Sequence, residues 1–460
     1  MNILTAIKGF VMKILNLNQI ETATNTAGVL SAEMKDRIEL WAHMYQGIAD
    51  WNDDAPSCGI EKVIAGSLSD PITEEIKIAS DNAELQTLMQ KVQEDVNTII
   101  EYFVAFGGCV IRPVFSNSKI QYEIVHLGNY LPLAYDIDGT LIKAIITKRL
   151  SEGKKEYLLC ETHSFENRTH KVDSTLYKMD SGIIGAELPL TSIVQTADIT
   201  PHFEWQNVEK PFIIEFRNRE PNKIDGSNVP CALIAGVENL IKDADEQYSR
   251  LIWENEAGKL KLFADADLFD KRQTKDGSDT VTHLNPTLRK LFVKLNGDGT
   301  STEKITTFAP TLRNNDLITG LNKIFQQIEI ATNIGKGTIS DLADIHQTAT
   351  QFAGGKKAFY SKIDKYETEL EAKYKDTAYV FAYMLSAYLN IPFNPEIEIT
   401  YNDMTRKDPK ELKMMALQEV AAGIMSKAQY RMQFYGETEE EAEANVPEDT
   451  NSMGGLFGNV

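Results

Sequence analysis

The chain has 460 residues, 42% of them hydrophobic and 25% charged, enough apolar material for a sizeable core, which excludes global disorder. Lys and Arg total 47 against 67 Asp and Glu, a formal net charge of −20. That balance excludes tight, sequence-independent DNA binding through clustered cations, but leaves room for a protein that DNA passes without adhering.

Met34, Ile38, Trp41 and Tyr45 recur at helical spacing behind Ser31, which predicts a capped helix there. A second helix is expected from about Asn82 to Phe106. Leu85, Leu88, Met89, Val92, Val96, Ile99, Ile100 and Phe103 form its apolar stripe, Asp81 and Glu84 give a capping-box pattern, and Gly107-Gly108 ends it. From Cys109 to about Met179 the period becomes that of strands. β-rich runs at Cys109–Val114, Ile120–Val125, Leu141–Lys148 and Glu156–Cys160 alternate with turns at Ser116-Asn117-Ser118, Asp138-Gly139 and Glu152-Gly153, and read as an antiparallel meander. Residues 180–230 are weakly patterned and hold five prolines, at 189, 201, 211, 221 and 230.

After Pro230, Leu233, Val237, Leu240, Ile241, Ala244, Tyr248, Leu251 and Ile252 share one helical face that ends at Gly258. Residues 259–312 lack that rhythm. Turn clusters at Lys275-Asp276-Gly277-Ser278 and Asn296-Gly297-Asp298-Gly299 punctuate β-rich pieces at Leu260–Phe263 and Leu291–Leu295. A third helix is expected from about Asn314 to Asn333, with Leu317, Leu321, Ile324, Phe325 and Ile328 in register, followed by the loop Ile334-Gly335-Lys336-Gly337-Thr338-Ile339-Ser340. The longest helical pattern, from about Thr348 to Leu389, is marked by Phe352, Phe359, Ile363, Tyr366, Leu370, Phe381, Leu385 and Tyr388. At ~1.5 Å per residue it spans ~63 Å, and Gly354-Gly355 suggests a kink. Pro392 and Pro395 stop it, and Ile397-Ile399-Tyr401 reads as a strand. The tail carries a helix from about Pro409 to Ile424, another from near Ser426, and an acidic stretch from Glu437 to Asp449 with seven acids and no bases.

Candidate chemistry is sparse. Cys58, Cys109, Cys160 and Cys231 contain no CxxC pair and are expected to be reduced, packed as small apolar residues. The N-terminal patch Phe10, Val11, Met12, Ile14 and Leu15 is interrupted by Lys13 and lacks the long core and cleavage site of a signal peptide. No run approaches the ~20 apolar residues of a membrane span. Asp136-Ile137-Asp138-Gly139-Thr140-Leu141 resembles the phosphatase signature of the haloacid dehalogenase superfamily, where the first Asp is nucleophile and the second acid/base. The plainer reading is an Asp-Gly turn between strands Tyr130–Tyr135 and Leu141–Lys148, because the superfamily's motif leads into a loop and helix. Gly335-Lys336-Gly337-Thr338 fails the phosphate-loop pattern: Ile330 stands at the earlier glycine position and Gly337 follows the lysine. The seven histidines show no HxxxH spacing. The chain is therefore read as non-enzymatic, without cofactor or metal.

What remains is architectural. Two helices with one apolar face each flank a β-containing insertion and can project it as a tip, and a loop and a very long helix follow. This order resembles the portal proteins of tailed bacteriophages, especially those of long-tailed phages infecting Gram-positive bacteria. The matching stretches are Ala105-Phe106-Gly107-Gly108-Cys109-Val110-Ile111-Arg112-Pro113, Ile124-Val125-His126 through Leu131-Pro132-Leu133-Ala134-Tyr135-Asp136, Asp243-Ala244-Asp245 through Gly258-Lys259-Leu260-Lys261-Leu262-Phe263, and Phe308-Ala309-Pro310-Thr311-Leu312-Arg313. Thr348-Ala349-Thr350, Ala422-Gly423-Ile424-Met425-Ser426-Lys427 and Tyr435-Gly436-Glu437-Thr438-Glu439-Glu440-Glu441-Ala442 continue the match.

The resemblance implies an α+β portal fold. Its parts would be an N-terminal helical segment (1–56), an α/β wing (57–230), stem helix 1 (231–258), a clip (259–312), stem helix 2 (313–334), a tunnel loop (335–347), a long kinked wing helix with a strand (348–406) and a helical crown (407–460). It implies a homo-dodecameric ring at one capsid vertex of the virion, assembled in the host cytoplasm. Its partners would be the terminase large subunit, a head-tail adaptor, and the major capsid and scaffolding proteins. Double-stranded DNA would pass non-specifically, and no membrane is involved. Gly335, Lys336, Gly337, Thr338 and Ser340 would face DNA in a loop that moves, with Asp341 and Asp344 repelling DNA or pairing with neighbouring subunits. Lys271, Arg272 and Lys275 would form the docking surface of the clip, which has nine Lys or Arg against seven acids. The alternatives are a ring-forming adaptor or scaffold outside this family, and a phosphatase acting through Asp136 and Asp138.

Overall fold

The computed structural model describes residues 17–265, 272–273, 280–281, 292–295, 305–341, 349–401 and 409–446. α1 (Leu17–Thr24) and α2 (Ala32–Gln46) open the described chain. The Ser31 hydroxyl accepts from the Met34 amide and caps α2. Met34, Ile38 and Trp41 are buried as their spacing predicts, whereas Tyr45 is partly exposed and meets Tyr102 and Phe106 edge-on. α3 (Ile60–Glu75) has no counterpart in the sequence reading: Gly66 and Pro71 disguise it, and burial of Ile60, Ile64, Leu68 and Ile72 at four-residue spacing sustains it. After strand β1 (Ile76–Ala79), the stripe expected as one helix is two, α4 (Ala83–Glu94) and α5 (Val96–Ala105), broken at Asp95. The cap is Asn82, whose side chain accepts from the Glu84 and Leu85 amides, in place of the Asp81/Glu84 box.

The β-rich region is two sheets instead of one meander. β2 (Gly108–Ser116) and β3 (Lys119–His126) form a hairpin. β4 (Tyr130–Tyr135), β5 (Leu141–Glu152), β6 (Lys155–Glu166) and β7 (Thr169–Asp180) are successive antiparallel neighbours in a second sheet. The far edge of β7 is shared by β8 (Ile183–Leu188) and β9 (His202–Gln206), while β10 (Ile214–Arg217) crosses back to pair with β2. The weakly patterned residues 180–230 thus hold three strands. β8 and β9 are largely exposed, so no apolar alternation announced them.

α6 (Glu238–Ala257) begins later than the apolar pattern suggests. Leu233 and Ile234 are buried in a loop and donate their amides to the Phe103 and Val104 carbonyls. Between α6 and α7 (Asn314–Thr332) lie β11 (Lys261–Asp265), β12 (Arg272–Gln273), β13 (Thr280–Val281), β14 (Phe292–Leu295) and β15 (Ile305–Phe308). β11 pairs parallel with β14 and antiparallel with β15, and β12 pairs with β13. α6 and α7 lie antiparallel, as expected, but polar bonds contribute to the pairing and part of the apolar face stays exposed: Gln247 donates to the Leu317 carbonyl at 3.2 Å, Arg313 binds both oxygens of Glu254, and Tyr248 and Ile252 remain exposed. α8 (Ala349–Leu389) is a single helix of 41 residues that runs unbroken through Gly354-Gly355. β16 (Glu398–Tyr401) returns to pair with β1. α9 (Pro409–Ala421), α10 (Lys427–Tyr435) and α11 (Glu439–Ala444) form the tail.

α8 binds these parts together. At seven- or eight-residue intervals it presents Tyr366, Tyr374, Phe381 and Tyr388, which meet Phe103 of α5, Phe216 of β10, Tyr122 of β3 and Phe115 of β2 at centroid distances of 5.4, 5.9, 5.8 and 4.4 Å. α6 is anchored differently, by buried carboxylates: Glu238 accepts from the Trp41 indole at 3.0 Å, and Asp245 from the Trp51 indole at 3.0 Å and the Cys58 amide at 2.7 Å. Within the sheets a polar chain is buried. The Phe212 amide donates to His170 Nδ1 at 3.2 Å, so His170 Nε2 carries the proton toward His163 Nδ1 at 3.1 Å, and Glu161 beyond pairs with Arg112.

Two outcomes test this packing. Gly107 sits at φ +91° and an added Cβ would lie 2.5 Å from the Cys231 backbone carbon, so Gly107→Ala should cost roughly 2–4 kcal/mol in denaturant unfolding. Gly153→Ala, at a turn with open space around it, should cost distinctly less. Burial holds His163 and His170 below the ordinary histidine pKa, the Glu161 carboxylate opposing at His163. Below about pH 6.5 the unfolded chain takes up protons that the folded chain refuses, so stability falls as pH falls. Melting temperature should drop between pH 7.5 and 5.5, and His170→Asn should flatten that drop.

Candidate functional site

α7 carries a polar stripe that its apolar register does not need: Asn322, Gln326 and Glu329, at i, i+4 and i+7, are buried to 6%, 9% and 1% exposure. Asn333 ends the helix in the left-handed region at φ 55°, and Gly335 and Gly337, at φ 84° and 85°, fold the chain back over the stripe. The Glu329 carboxylate then accepts the amides of Gly337, Ile339 and Ser340 at 3.0, 2.7 and 2.8 Å and the Ser340 hydroxyl at 2.7 Å. Asn322 accepts the Asp341 amide at 2.7 Å and donates to the Asp341 carbonyl at 3.3 Å. The Thr338 hydroxyl donates to the Ile334 and Gly335 carbonyls at 2.8 and 3.0 Å. Removing this carboxylate from its donors would leave a buried charge unpaired, so these bonds hold the loop in one shape.

A second clamp comes from α8. Lys362, 3% exposed, donates to the Thr332 carbonyl at 2.6 Å, one of the orphan acceptors at the end of α7, and pairs with Glu220 at 3.3 Å. Burial lowers the pKa of this ammonium, with Glu220 opposing.

The structure thus keeps Gly335, Lys336, Gly337, Thr338 and Ser340 in one loop but gives them different positions. Lys336 is exposed, Gly335, Gly337 and Thr338 are half-buried, and Ser340 is buried. The Thr338 and Ser340 hydroxyls, expected to meet DNA, are engaged within the protomer. The two glycines take left-handed backbone angles that few other residues adopt readily. Residues 342–347 of the expected loop, Asp344 among them, lie outside the described residues.

Arg272 sits on β12 opposite Val281, while Lys271 and Lys275 lie outside the described residues. Asp136-Ile137-Asp138-Gly139-Thr140 is the hairpin turn between β4 and β5: the Gly139 amide donates to the Asp136 carbonyl and the Asp136 amide to the Thr140 carbonyl. The strand-loop-helix context of the phosphatase motif is absent there. Among the described residues no helix is long and apolar enough to cross a membrane, and no three acidic, histidine or cysteine side chains converge to hold a metal ion. Sequence reasoning missed Asn322, Glu329 and Lys362. The signal was the polar i, i+4, i+7 stripe in α7, which competed with the stronger apolar register of Leu321, Ile324, Phe325 and Ile328.

Glu329→Gln places an amide NH₂ against loop donors, and should cost about 2 kcal/mol locally. Hydrogen exchange at Gly337, Ile339 and Ser340 should accelerate at least tenfold, while Lys336→Ala should leave it unchanged.

No curated protein matches the chain. Matching solved structures include the virion of a native gene transfer agent particle, at 11% identity, covering 91% of this chain and 99% of that one with a TM-score of 0.41. The neck of an empty particle computed with C6 symmetry matches at 11% identity, 91% and 98% coverage and 0.41. The neck of a native particle computed with C12 symmetry matches at 10% identity, 91% and 98% coverage and 0.40. The family model for phage portal proteins of the SPP1 Gp6-like type matches residues 67–449, and the chain belongs to that family.

Proposed function

We propose that this portal-family protein forms a twelve-membered ring at one capsid vertex of a tailed phage of the long-tailed, Gram-positive-infecting type, and that DNA enters and leaves the head through it. The observation that carries this reading is the α6–α7 pair. The two helices cover each other on one side, yet still expose Tyr248, Ile252 and Trp253 on α6 and Ile318 and Ile330 on α7, with Trp253 66% exposed. A helix pair with apolar residues on both sides is built to stand between neighbours. Twelve such pairs, with an inner helix contributing ~10 Å each, enclose a lumen ~28 Å across, wide enough for duplex DNA.

On this reading residues 57–230 and 348–406 form the wing, 231–258 and 313–334 the stem, 259–312 the clip, 335–347 the tunnel loop and 407–460 the crown. Lys336 stands at the narrowest point. An acidic ring of twelve chains, roughly −240 in all, does not hold DNA, and single lysines on a stiff loop guide it by phosphate contact alone. Arg272, with Lys271 and Lys275, belongs to a basic clip surface that meets the terminase motor and later the head-tail adaptor. The wing faces capsid and scaffolding proteins.

Trp253→Glu should leave the chain folded and monomeric in sedimentation, where the parent chain forms rings. Lys336→Glu should assemble normally and package DNA poorly. Rings that persist in the Trp253 variant, or packaging unaffected by Lys336→Glu, would contradict the respective assignments.

A further inference from the structure

The Asp136–Thr140 hairpin turn borders a cleft of about 330 Å³. We propose that this cleft is a receptor for an arginine side chain presented by another protein chain. The inference does not depend on ring formation or on DNA passage.

Five carboxylates line the cleft, those of Asp136, Asp138, Glu209, Glu215 and Asp376, against two ammonium groups, Lys210 and Lys373. Both lysines are turned to one acid: Lys210 pairs with Asp376, and Lys373 lies 3.6 Å from it. Glu209 pairs with Arg168, and burial raises the pKa of Glu215 with Arg217 and Lys373 opposing, so the negative excess falls on the two exposed acids of the turn. Glu215 is 4% exposed. One oxygen accepts the Tyr130 and Tyr135 hydroxyls, each at 2.9 Å. The other, Oε2, is buried without a hydrogen bond, with the Arg217 guanidinium only as near as 3.9 Å. A buried carboxylate oxygen lacking a donor is costly, and a donor reaching it through the cleft would relieve that cost.

The ligand class follows from the shape. The acids do not converge on a point, so a metal ion is not matched. A planar guanidinium, with five donors in a fork, can reach spread carboxylates that one ammonium cannot. Phe165 and Pro211 provide apolar wall for the methylene stem. The chain's own nearby arginine is committed elsewhere, since Arg217 donates to the Gly139 carbonyl at 3.1 Å and the Asn228 carbonyl at 2.6 Å. Ile137 at the tip of the same turn is fully exposed, at 103%. An apolar residue beside an acidic mouth suits a protein surface better than a small soluble amine. The Thr140 amide, bonded to Asp138, holds that carboxyl below its usual range and keeps it ionised.

Calorimetric titration of the full-length protein tests this with N-acetyl-arginine methylamide, its neutral citrulline counterpart, and a capped Leu-Arg-Leu peptide. The arginine probe should bind with Kd of about 1 mM, and the citrulline probe at least about tenfold more weakly. Asp136→Asn with Asp138→Asn, both exposed, should weaken the arginine probe about fivefold or more with the fold intact by circular dichroism. The peptide should bind more tightly than the single residue and lose that advantage in Ile137→Ser. Equal binding of arginine and citrulline probes, or unchanged binding in the double variant, would overturn the site. A peptide no tighter than the single residue would overturn its assignment to a protein partner.

Discussion

The structure depends on the side of α8 that carries Tyr366, Tyr374, Phe381 and Tyr388. A 41-residue helix spans ~62 Å, too long to be stabilised by one neighbour. Its aromatic residues instead meet α5, β10, β3 and β2 in turn, so two stretches of chain far from α8 in sequence, 96–126 and 214–217, are brought to one line. That line fixes where the three-stranded sheet lies and supports β10, which closes it. Through Lys362, the same helix also holds the last carbonyl of α7. Packing along α8 thus reaches the loop that follows α7.

At that loop the governing interaction changes from apolar contact to a buried carboxylate. Glu329 gathers three amides and a hydroxyl, and Asn322 holds the next residue. Such a cluster favours one conformation, because a loosened loop would expose the carboxylate's demand for donors without supplying water in their place. These bonds tie α7 directly to the loop that follows it.

Much of this architecture is legible in the sequence. The paired helices around 259–312, the long helix ending at Leu389, the hairpin turn at Asp138-Gly139 and the capped helix after Ser31 all follow from period and turn chemistry. What escaped did so for physical reasons. Ile60–Glu75 is held helical by burial against its propensity, with Pro71 and Gly66 misleading a local reading. β8 and β9 are largely exposed, with only Ile184, Leu188 and Trp205 partly buried, and leave little alternation, and Asp95 breaks a continuous apolar stripe that carries no sign of the break. In the loop, Gly335 and Gly337 announced a turn, but Glu329, hidden between Ile328 and Ile330, gave no sign that it would accept the loop's amides.

The measurement that bears most directly on the account is an electron cryomicroscopy reconstruction of the purified full-length chain. The account predicts a closed ring in which α6 and α7 face neighbouring subunits, Trp253 is covered at the contact, and Lys336 projects from the Glu329-held loop into the narrowest part of a central opening. A ring with Lys336 on its outer wall, or a chain that stays monomeric at every concentration with Trp253 in water, would contradict it.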